Sequence, residues 1–312
     1  MTTKNISASK SWEKKLYPVQ ILKFCRVLIP HIGLIAALWM VWQQRLHLIQ
    51  YLPLYVLTPL TGIGFTVGYH RLFAHRSFEA KKPVKTTLAI LGLMGSHLTI
   101  TEYAAVHRCH HAFSDRSGDP HSPHLSEGEG LLKMTKGLWH SYLGWLFDRD
   151  LNLKDKIDKY ASDLTEDSVI VTLDRLHYLW ILLGILIPTL LGFALTQSWN
   201  GALIGFVWWG LLRMFIQDQI EFGIRSFSHY WGDRSFKTKD FSTNNWIAII
   251  SLGEWHNNHH AFPHAANQGL EPWQYDLSYK IILTLEKLGL ASNIKRVSPQ
   301  EIELKKLALN SS

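Results

Sequence analysis

Four apolar runs, at residues 27–42, 48–67, 176–195 and 200–216, constrain this chain more than any other feature of it. At ~1.5 Å rise per residue, about twenty helical residues cover the ~30 Å hydrocarbon of a bilayer. The runs therefore predict four membrane-spanning helices, the first crossing only with tilting or local thinning. Residues 43–47 separate the first two, and the uncharged stretch 196–200 joins or overlaps the second two, so the spans read as two hairpins. A hydrophobic content of 47% would by itself also suit a soluble enzyme; the clustering decides the class.

Lys and Arg are abundant before residue 27, between 70 and 85, around Arg175 and after 216, whereas the short turns carry only Arg45. By the positive-inside rule both termini and the polar segments 68–175 and 217–312 are expected to be cytoplasmic, forming a helical cap on the membrane domain. Thirteen Trp and a net charge of +7 fit interfacial aromatic belts and a basic cytoplasmic side. The cations flank apolar runs instead of forming a stripe, which argues against nucleic-acid binding. Two cysteines, Cys25 and Cys109, can build neither a disulfide framework nor a thiolate-held cluster. Lys4, Lys10, Lys14 and Lys15 precede the first run, but no small-residue cleavage site follows it, so no removable signal peptide is read.

The stretch 86–106 is apolar but interrupted by Ser96, His97, Thr99, Thr101 and Glu102. A fifth crossing there would put His107 on the opposite side from His70, so a helix lying in or on the membrane interface is expected. Leu277, Ile281, Leu285 and Leu288 recur at helical spacing before Gly289, a plausible stop. Residues 305–312 are expected to form a frayed tail.

The chemistry lies in the histidines. His70 and His75 end an HxxxxH box, and His107, His110, His111 and His256, His259, His260 form two HxxHH boxes. With 17 histidines in 312 residues, one HxxHH is expected by chance in about 0.05 such chains and two in about 0.001, so interfacial polarity alone does not account for them. On a helix, positions i, i+3 and i+4 share a face, so each HxxHH can aim three imidazoles at one point. His70 and His75 are about 140° apart on a regular helix. One must reach around, or the helix must end or bulge there. Eight imidazoles exceed the four ligands of a structural zinc, so two metals share them more naturally. Imidazole suits Fe, Zn, Cu and Ni alike, leaving the element open. His70 follows the second run by about one turn, which places the metals just outside the hydrocarbon, within reach of an acyl chain.

Glu102, Asp115, Asp119 and Glu254 lie close to the boxes; ordinary solvation would explain them, but metal-bound His usually donates its second N–H to a carboxylate, so these are candidates to orient ligands. His121 and His124 sit in a Pro-rich segment that suits a turn or an outer role. Trp139, Trp145 and Trp255 are candidates for a tunnel wall or interfacial anchors. Gly62, Gly64 and Gly68 are wrongly spaced for a dinucleotide loop and better suit close helix packing.

The three boxes, their order and the paired spans resemble the membrane acyl desaturase family over roughly residues 60–290, and are similar to bacterial Δ9 acyl-CoA or acyl-lipid desaturases of the stearoyl-CoA desaturase type. Further agreement lies in Gly68-Tyr69-His70-Arg71, Gly118-Asp119-Pro120-His121, Gly144-Trp145-Leu146 and Gly253-Glu254-Trp255-His256. The resemblance implies four spans, a di-iron centre with nine histidines, O2 as oxidant, a hydrophobic tunnel and a cis double bond placed at Δ9. His229 matches the family's ninth ligand. Four residues earlier the family usually has Asn, where this chain has Arg225. A guanidinium cannot ligate iron and adds charge to a cationic site. Arg225 is therefore expected to turn outward to a phosphate or carboxylate of the substrate head group, the alternative being that it faces the metals.

The acyl carrier could be CoA, acyl carrier protein or a glycerolipid. With no haem-binding domain, cysteine cluster or nucleotide loop, electrons are expected from a separate acidic protein, such as ferredoxin or a cytochrome b5-like carrier, with an association that weakens in salt. Two other readings compete. One is hydroxylation of an alkane or acyl chain by the same centre; the other is a metal transporter, which predicts ionisable residues within the spans, whereas the four runs hold only His31, His177 and Arg213, near their ends.

Overall fold

The computed structural model describes residues 5–43, 48–95, 98–148 and 151–310. The expected turn at 44–47, with Arg45 and His47, and Ser96 and His97 lie outside them, as does Lys4. All four apolar runs form helices long and apolar enough to cross a membrane: Ile21–Trp42, Leu52–Ala74, His177–Thr196 and Trp199–Phe227.

In chain order, α1 (Asn5–Trp42) leads to α2 (Leu52–Ile63), which runs on as a π-helical segment, Gly64–Ala74. The short strand β1 (Glu79–Ala80) precedes α3 (Lys82–Leu93), α4 (Ile100–Phe113), α5 (Gly130–Tyr142), α6 (Leu153–Tyr160), α7 (Ser162–Thr165) and α8 (Ser168–Arg175). The third span is α9 (His177–Thr196). The fourth combines α10 (Trp199–Ile204), a second π-helical segment (Gly205–Leu212) and α11 (Arg213–Phe227). Then come α12 (Ile247–Ile250), α13 (His256–Ala261), α14 (Leu277–Lys287), β2 (Ala291–Ser292) and α15 (Pro299–Asn310).

The first span starts earlier than its sequence pattern indicates, and its 22 residues need neither tilt nor thinning. Arg26 truncated the apolar run, yet in the fold it is buried, paired with Asp218 at 3.0 Å and donating to the Gly95 carbonyl at 2.6 Å. The fourth span likewise continues past residue 216 to Phe227, burying Asp218 and Glu221. Ionisable residues are thus not confined to span ends, contrary to expectation; they are tolerated because they face the interior. The stretch expected as one interfacial helix is two, α3 and α4. Thr99 accepts from the Glu102 N–H while Glu102 accepts from the Thr99 N–H, a reciprocal cap that starts α4 afresh. Asp174 reinforces that start by accepting from the Ile100 and Thr101 amides at 2.8 and 3.1 Å.

The fourth span is the centre of the bundle, 67% of its most apolar window being buried against 22% for the third. Gly33 lets α1 close on it, since a Cβ there would lie 2.4 Å from Leu211 Cβ. Gly64 packs so tightly on α3 that a Cβ would meet the Gly92 nitrogen at 2.2 Å, which bears out the packing role of these glycines. Outward, Ile32, Ile35, Leu38, Leu182 and Leu190 are exposed along the first and third spans, as a lipid-facing surface requires. Trp42 and Trp199 stand at span ends, each 83% exposed, where interfacial aromatics belong.

The polar segments close over one end of the bundle. β1 pairs antiparallel with β2, Glu79 opposite Ser292, tying the chain beyond the second span to the C-terminal part. α14 forms as expected and Gly289 follows it at φ +66°. The expected frayed tail is instead helical to Asn310: Lys306 pairs with Glu271 at 2.6 Å and Lys305 donates to the Ala261 carbonyl, which holds α15 down.

Candidate metal centre

Each histidine box owes its aim to the element that carries it. His70 lies in the π-helical end of the second span, and His75 closes it, its amide donating to the His70 carbonyl at 3.0 Å. Bonding from i to i+5 brings residues five apart round to nearly one face, which answers the difficulty that a regular helix posed for this pair. His107, His110 and His111 occupy the last turns of α4. α13 is only six residues long, yet its two asparagines lock it: Asn257 accepts from the Phe236 amide at 2.8 Å, and Asn258 donates to Gln274 at 2.6 Å and the Gln268 carbonyl at 2.8 Å. His229 follows α11.

All nine histidines converge. His70, His75, His107 and His259 form one group and His110, His229, His256 and His260 a second, each able to bring one nitrogen per residue within 4.8 Å of the others. His111 bridges them, its Nε2 lying 3.2 Å from that of His107 and 2.8 Å from that of His259, and its ring centroid 4.5 Å from His260. Nε2 atoms also meet in the pairs His70–His259 (3.1 Å), His75–His107 (2.6 Å) and His229–His256 (2.9 Å). Two ligand atoms at right angles on a cation with bonds of about 2.1 Å are themselves about 3 Å apart, so this spacing is that of a coordination sphere. The Nε2 atoms of His110 and His260 are buried with no hydrogen-bond partner. Donor set, spacing and orphaned nitrogens fit a pair of imidazole-held metals.

The opposite ring nitrogens are held by carboxylates. His110 Nδ1 donates to Asp119 at 3.0 Å, His229 Nδ1 to Asp115 at 2.7 Å and His260 Nδ1 to Asp240 at 2.8 Å, and the Glu254 carboxylate lies against His70 Nδ1 in ion-pair contact. This fixes each tautomer and leaves Nε2 free to ligate. Three of the four carboxylates singled out in the sequence, Asp115, Asp119 and Glu254, thus lie against box histidines or His229. Glu102 does not; it caps α4. Asp240, in an irregular segment, was missed because no local pattern marks a partner twenty residues from its histidine.

Electrostatics agree with ligation. Burial, reinforced by neighbouring imidazoles, holds His75, His107, His111, His256 and His259 well below the ordinary histidine range. His260 is lowered to about 4 by burial, which Asp240 only partly opposes. His110 is the exception: burial would lower it, but Asp119 raises it. Burial would raise Asp115, yet the His229 contact brings it to about 2, and Asp119 and Asp240 are likewise depressed by His110 and His260. The lowered histidines favour the neutral imidazole and the depressed aspartates the ionised carboxylate, the protonation states that metal binding needs.

A cavity adjoins the histidines, lined by Phe65, Leu98, Tyr103, Val106 and Ile224. Glu221 and Arg225 also line it. Arg225 thus turns inward, not outward as expected: its guanidinium sits 5.1 Å from the Trp145 ring centre and 5.2 Å from Phe222, with Glu221 one turn earlier on the same wall. Aromatic faces and a nearby carboxylate supply the compensation for burial that the sequence did not reveal. Trp139, Trp145 and Trp255, candidates for a tunnel wall or for interfacial anchors, do not line this cavity. Trp145 is fully buried behind Arg225 and His121, Trp255 is buried with its indole donating to the Tyr275 carbonyl, and Trp139 is exposed. His121 stacks on His110 at 4.4 Å, and His124 donates to the His229 carbonyl at 2.8 Å.

Residues 46–284 match the family model described as "Fatty acid desaturase". The chain is 42% identical over 310 residues, 98% of its length and 95% of the relative's, to a hex-5-enoyl-[acyl-carrier protein] acetylenase of Moorena producens. It is 35% identical to Delta-9 acyl-lipid desaturase 1 of Arabidopsis thaliana, covering 96% of the chain and 90% of the relative, and 35% identical to an sn-1 stearoyl-lipid 9-desaturase of Anabaena variabilis, covering 75% and 79%.

Proposed function

The chain belongs to the fatty acid desaturase family, and from that premise we propose that it uses O2 and external electrons to insert a cis double bond into a saturated acyl chain, at Δ9. Abstracting hydrogen from an unactivated methylene is beyond any side-chain acid or base, and two irons, when bound, supply the oxygen chemistry. The nine histidines would hold them, with His111 between the two groups, while Asp115, Asp119, Asp240 and Glu254 fix the rings. The cavity residues Phe65, Leu98, Tyr103, Val106 and Ile224 would seat the chain and exclude water, choosing the carbon by position, where about 1 Å of displacement can cost about a hundredfold in rate. The observation that carries this reading is a cavity walled largely by apolar side chains that opens onto His70, His107, His110 and His256 of the converged array. The site and both termini would face the cytoplasm, as the flanking Lys and Arg favour.

Likeness to the Moorena acetylenase favours a second reading, in which an alkenoyl chain on acyl carrier protein is taken to an alkyne. Expression in a desaturase-deficient host, with gas chromatography of lipid and carrier-bound acids, separates the two. A Δ9 monoene in glycerolipids supports the first; a terminal alkyne on carrier protein, without the monoene, supports the second; hydroxylated chains alone would defeat both. Purified active protein should contain about two Fe per chain, and one zinc without iron would refute the di-iron assignment.

Arg225 offers a narrower test. A cation beside the metals stabilises their reduced state, so Arg225→Asn should lower the reduction potential with iron content near that of wild type. An unchanged potential together with a raised KM would return the residue to a head-group role.

A further inference from the structure

The cavity that opens onto the histidines meets a second one, deeper in the bundle. Among the described residues no histidine lines this second cavity; Thr58, Pro59, Gly62, Ile220, Ile250 and Leu252 do. Phe65, Glu221 and Ile224 line both cavities and so stand between them. Two of these three are apolar, as a channel for hydrocarbon requires. Glu221 is not, and it is buried there. We propose that Glu221, held in place by Gln217, closes the acyl channel on its methyl side, so that the enzyme takes chains whose free end lies only a few carbons beyond the bond it oxidises.

The second span gives the direction. His70 lies near its cytoplasmic end, and Thr58 stands roughly 15–18 Å further back along the same helix. A chain whose oxidised carbons sit at the histidines and whose carboxyl end faces the polar cap therefore sends its free end toward the second cavity. α11 presents Gln217, Glu221 and Ile224 at i, i+4 and i+7, one face along which both cavities lie. Gln217 Nε2 donates to Glu221 Oε1 at 3.3 Å. Gln217 is itself wedged: a Cβ on Gly95 would lie 3.6 Å from its Cγ, and a Cβ on Gly62 3.6 Å from its Oε1. For a hydrocarbon chain to pass, Glu221 would have to leave this bond, and methylenes offer neither partner a replacement for it. Phe65 is fixed as well, edge-on to Tyr103 with ring centres 4.9 Å apart.

This inference rests on the desaturase reading and narrows it. A Δ9 product is then confined to chains little longer than the position of their double bond. Arg225, one turn beyond Glu221, lines the histidine cavity and not the second one, so the partition is a separate element from the charge placed beside the metals.

The probes are saturated acyl chains of 6 to 18 carbons, each as the thioester of CoA and of acyl carrier protein, titrated by thermophoresis against the iron-loaded protein in nanodiscs. Oxidised products are located by mass spectrometry. Each methylene that gains a buried seat improves Kd about fourfold. For wild type the improvement should stop at a short chain length, and the oxidised bond should lie near the methyl end of every chain converted. In Glu221→Ala it should continue, so that a chain four carbons past the wild-type limit binds at least tenfold more tightly than it binds wild type. Glu221→Gln, equal in size and still polar, should keep the wild-type limit. Thr58→Phe, which fills the second cavity, should leave the wild-type series unchanged and cancel the gain when combined with Glu221→Ala. A gain for longer chains cannot arise from misfolding; should Glu221→Ala lose its fold or its iron, Gln217→Ala, which removes the lock, is held to the same criterion. The proposal is overturned if wild type binds no probe, if its Kd still improves for the longest chains, if Thr58→Phe alone shortens the accepted chains, or if removing Glu221 or its lock leaves the limit where it was. Absence of oxidised product from wild type would instead count against the function proposed above, with the limit in Kd decided separately.

Discussion

Replacing His259 by alanine should reduce product formation to background and leave fewer than two irons per chain, while the protein still inserts and purifies at the wild-type level. His259 sits where the array is densest, its Nε2 3.1 Å from His70 and 2.8 Å from His111, so its removal takes a nitrogen from one group and a neighbour from the bridging ring. Loss of an outer carboxylate partner typically costs about 10–100-fold in metal affinity or activity, and loss of a ligand costs more. The fold should survive because the imidazole is tied to the surrounding chain by little more than a 3.2 Å hydrogen bond from Gln268 Nε2 to its Nδ1, and without metal these buried rings crowd one another, so truncation relieves the crowding. His107→Ala and His110→Ala should behave alike, whereas His177→Ala, at the start of the third span, should retain most activity. Metal analysis beside a product assay checks this. Equal losses in His259→Ala and His177→Ala would show that the array has no special role.

The largest stability effect should come from Arg71→Met. Arg71 is fully buried and donates to Asp276 at 2.9 and 3.1 Å, to Glu254 at 3.3 Å, and to the carbonyls of Ala266 and Gly253 at 2.7 and 3.1 Å. Breaking a buried pair by removing one partner costs roughly 3–5 kcal/mol, because it leaves the other charge uncompensated; here two carboxylates lose one cation. The loss would spread, since Asp276 caps α14 through the Tyr279 amide and receives the Gln268 amide, both at 2.8 Å, and Glu254 orients His70. A thermal midpoint in detergent lower by about 10 °C is expected. Arg71→Lys should recover part of it, keeping the charge without the fork that spans both carboxylates. An unchanged midpoint would mean that the network contributes no net stability.

What could be read without coordinates followed repeating geometry. The four spans were legible because length and apolarity are local properties, and the HxxHH boxes because positions i, i+3 and i+4 share a face. Asp119 was legible as a partner because only nine residues separate it from His110. Asp240, Gln274 and the contacts that Asn257 and Asn258 make were not, since they form only after the chain between 233 and 276 has folded around α13. The error over Arg225 had a definite source: the cost of burying a guanidinium was set against solvent, while its compensation by Trp145, Phe222 and Glu221 exists only in three dimensions. The early end assigned to the fourth span has the same origin, because Asp218 reads as a charge until Arg26, 192 residues away, is placed beside it.

A π segment is what an α-helix becomes when it holds one residue more than its ladder can register, and the second span contains such a surplus between Gly64 and Ala74. The helix therefore works as a rod carrying two phases. Residues before Gly64 are indexed to the packing of the bundle, as Thr61 and Gly62 are, and residues from His70 onward to the histidine array. Deleting a single residue between these marks would restore an even ladder, and by that act turn His70 by about a quarter of a revolution relative to everything before it. Insertions and deletions in this short stretch thus act as rotations and not as changes of length, which gives the span a vernier by which an array of fixed spacing can be aligned with a bundle of fixed packing.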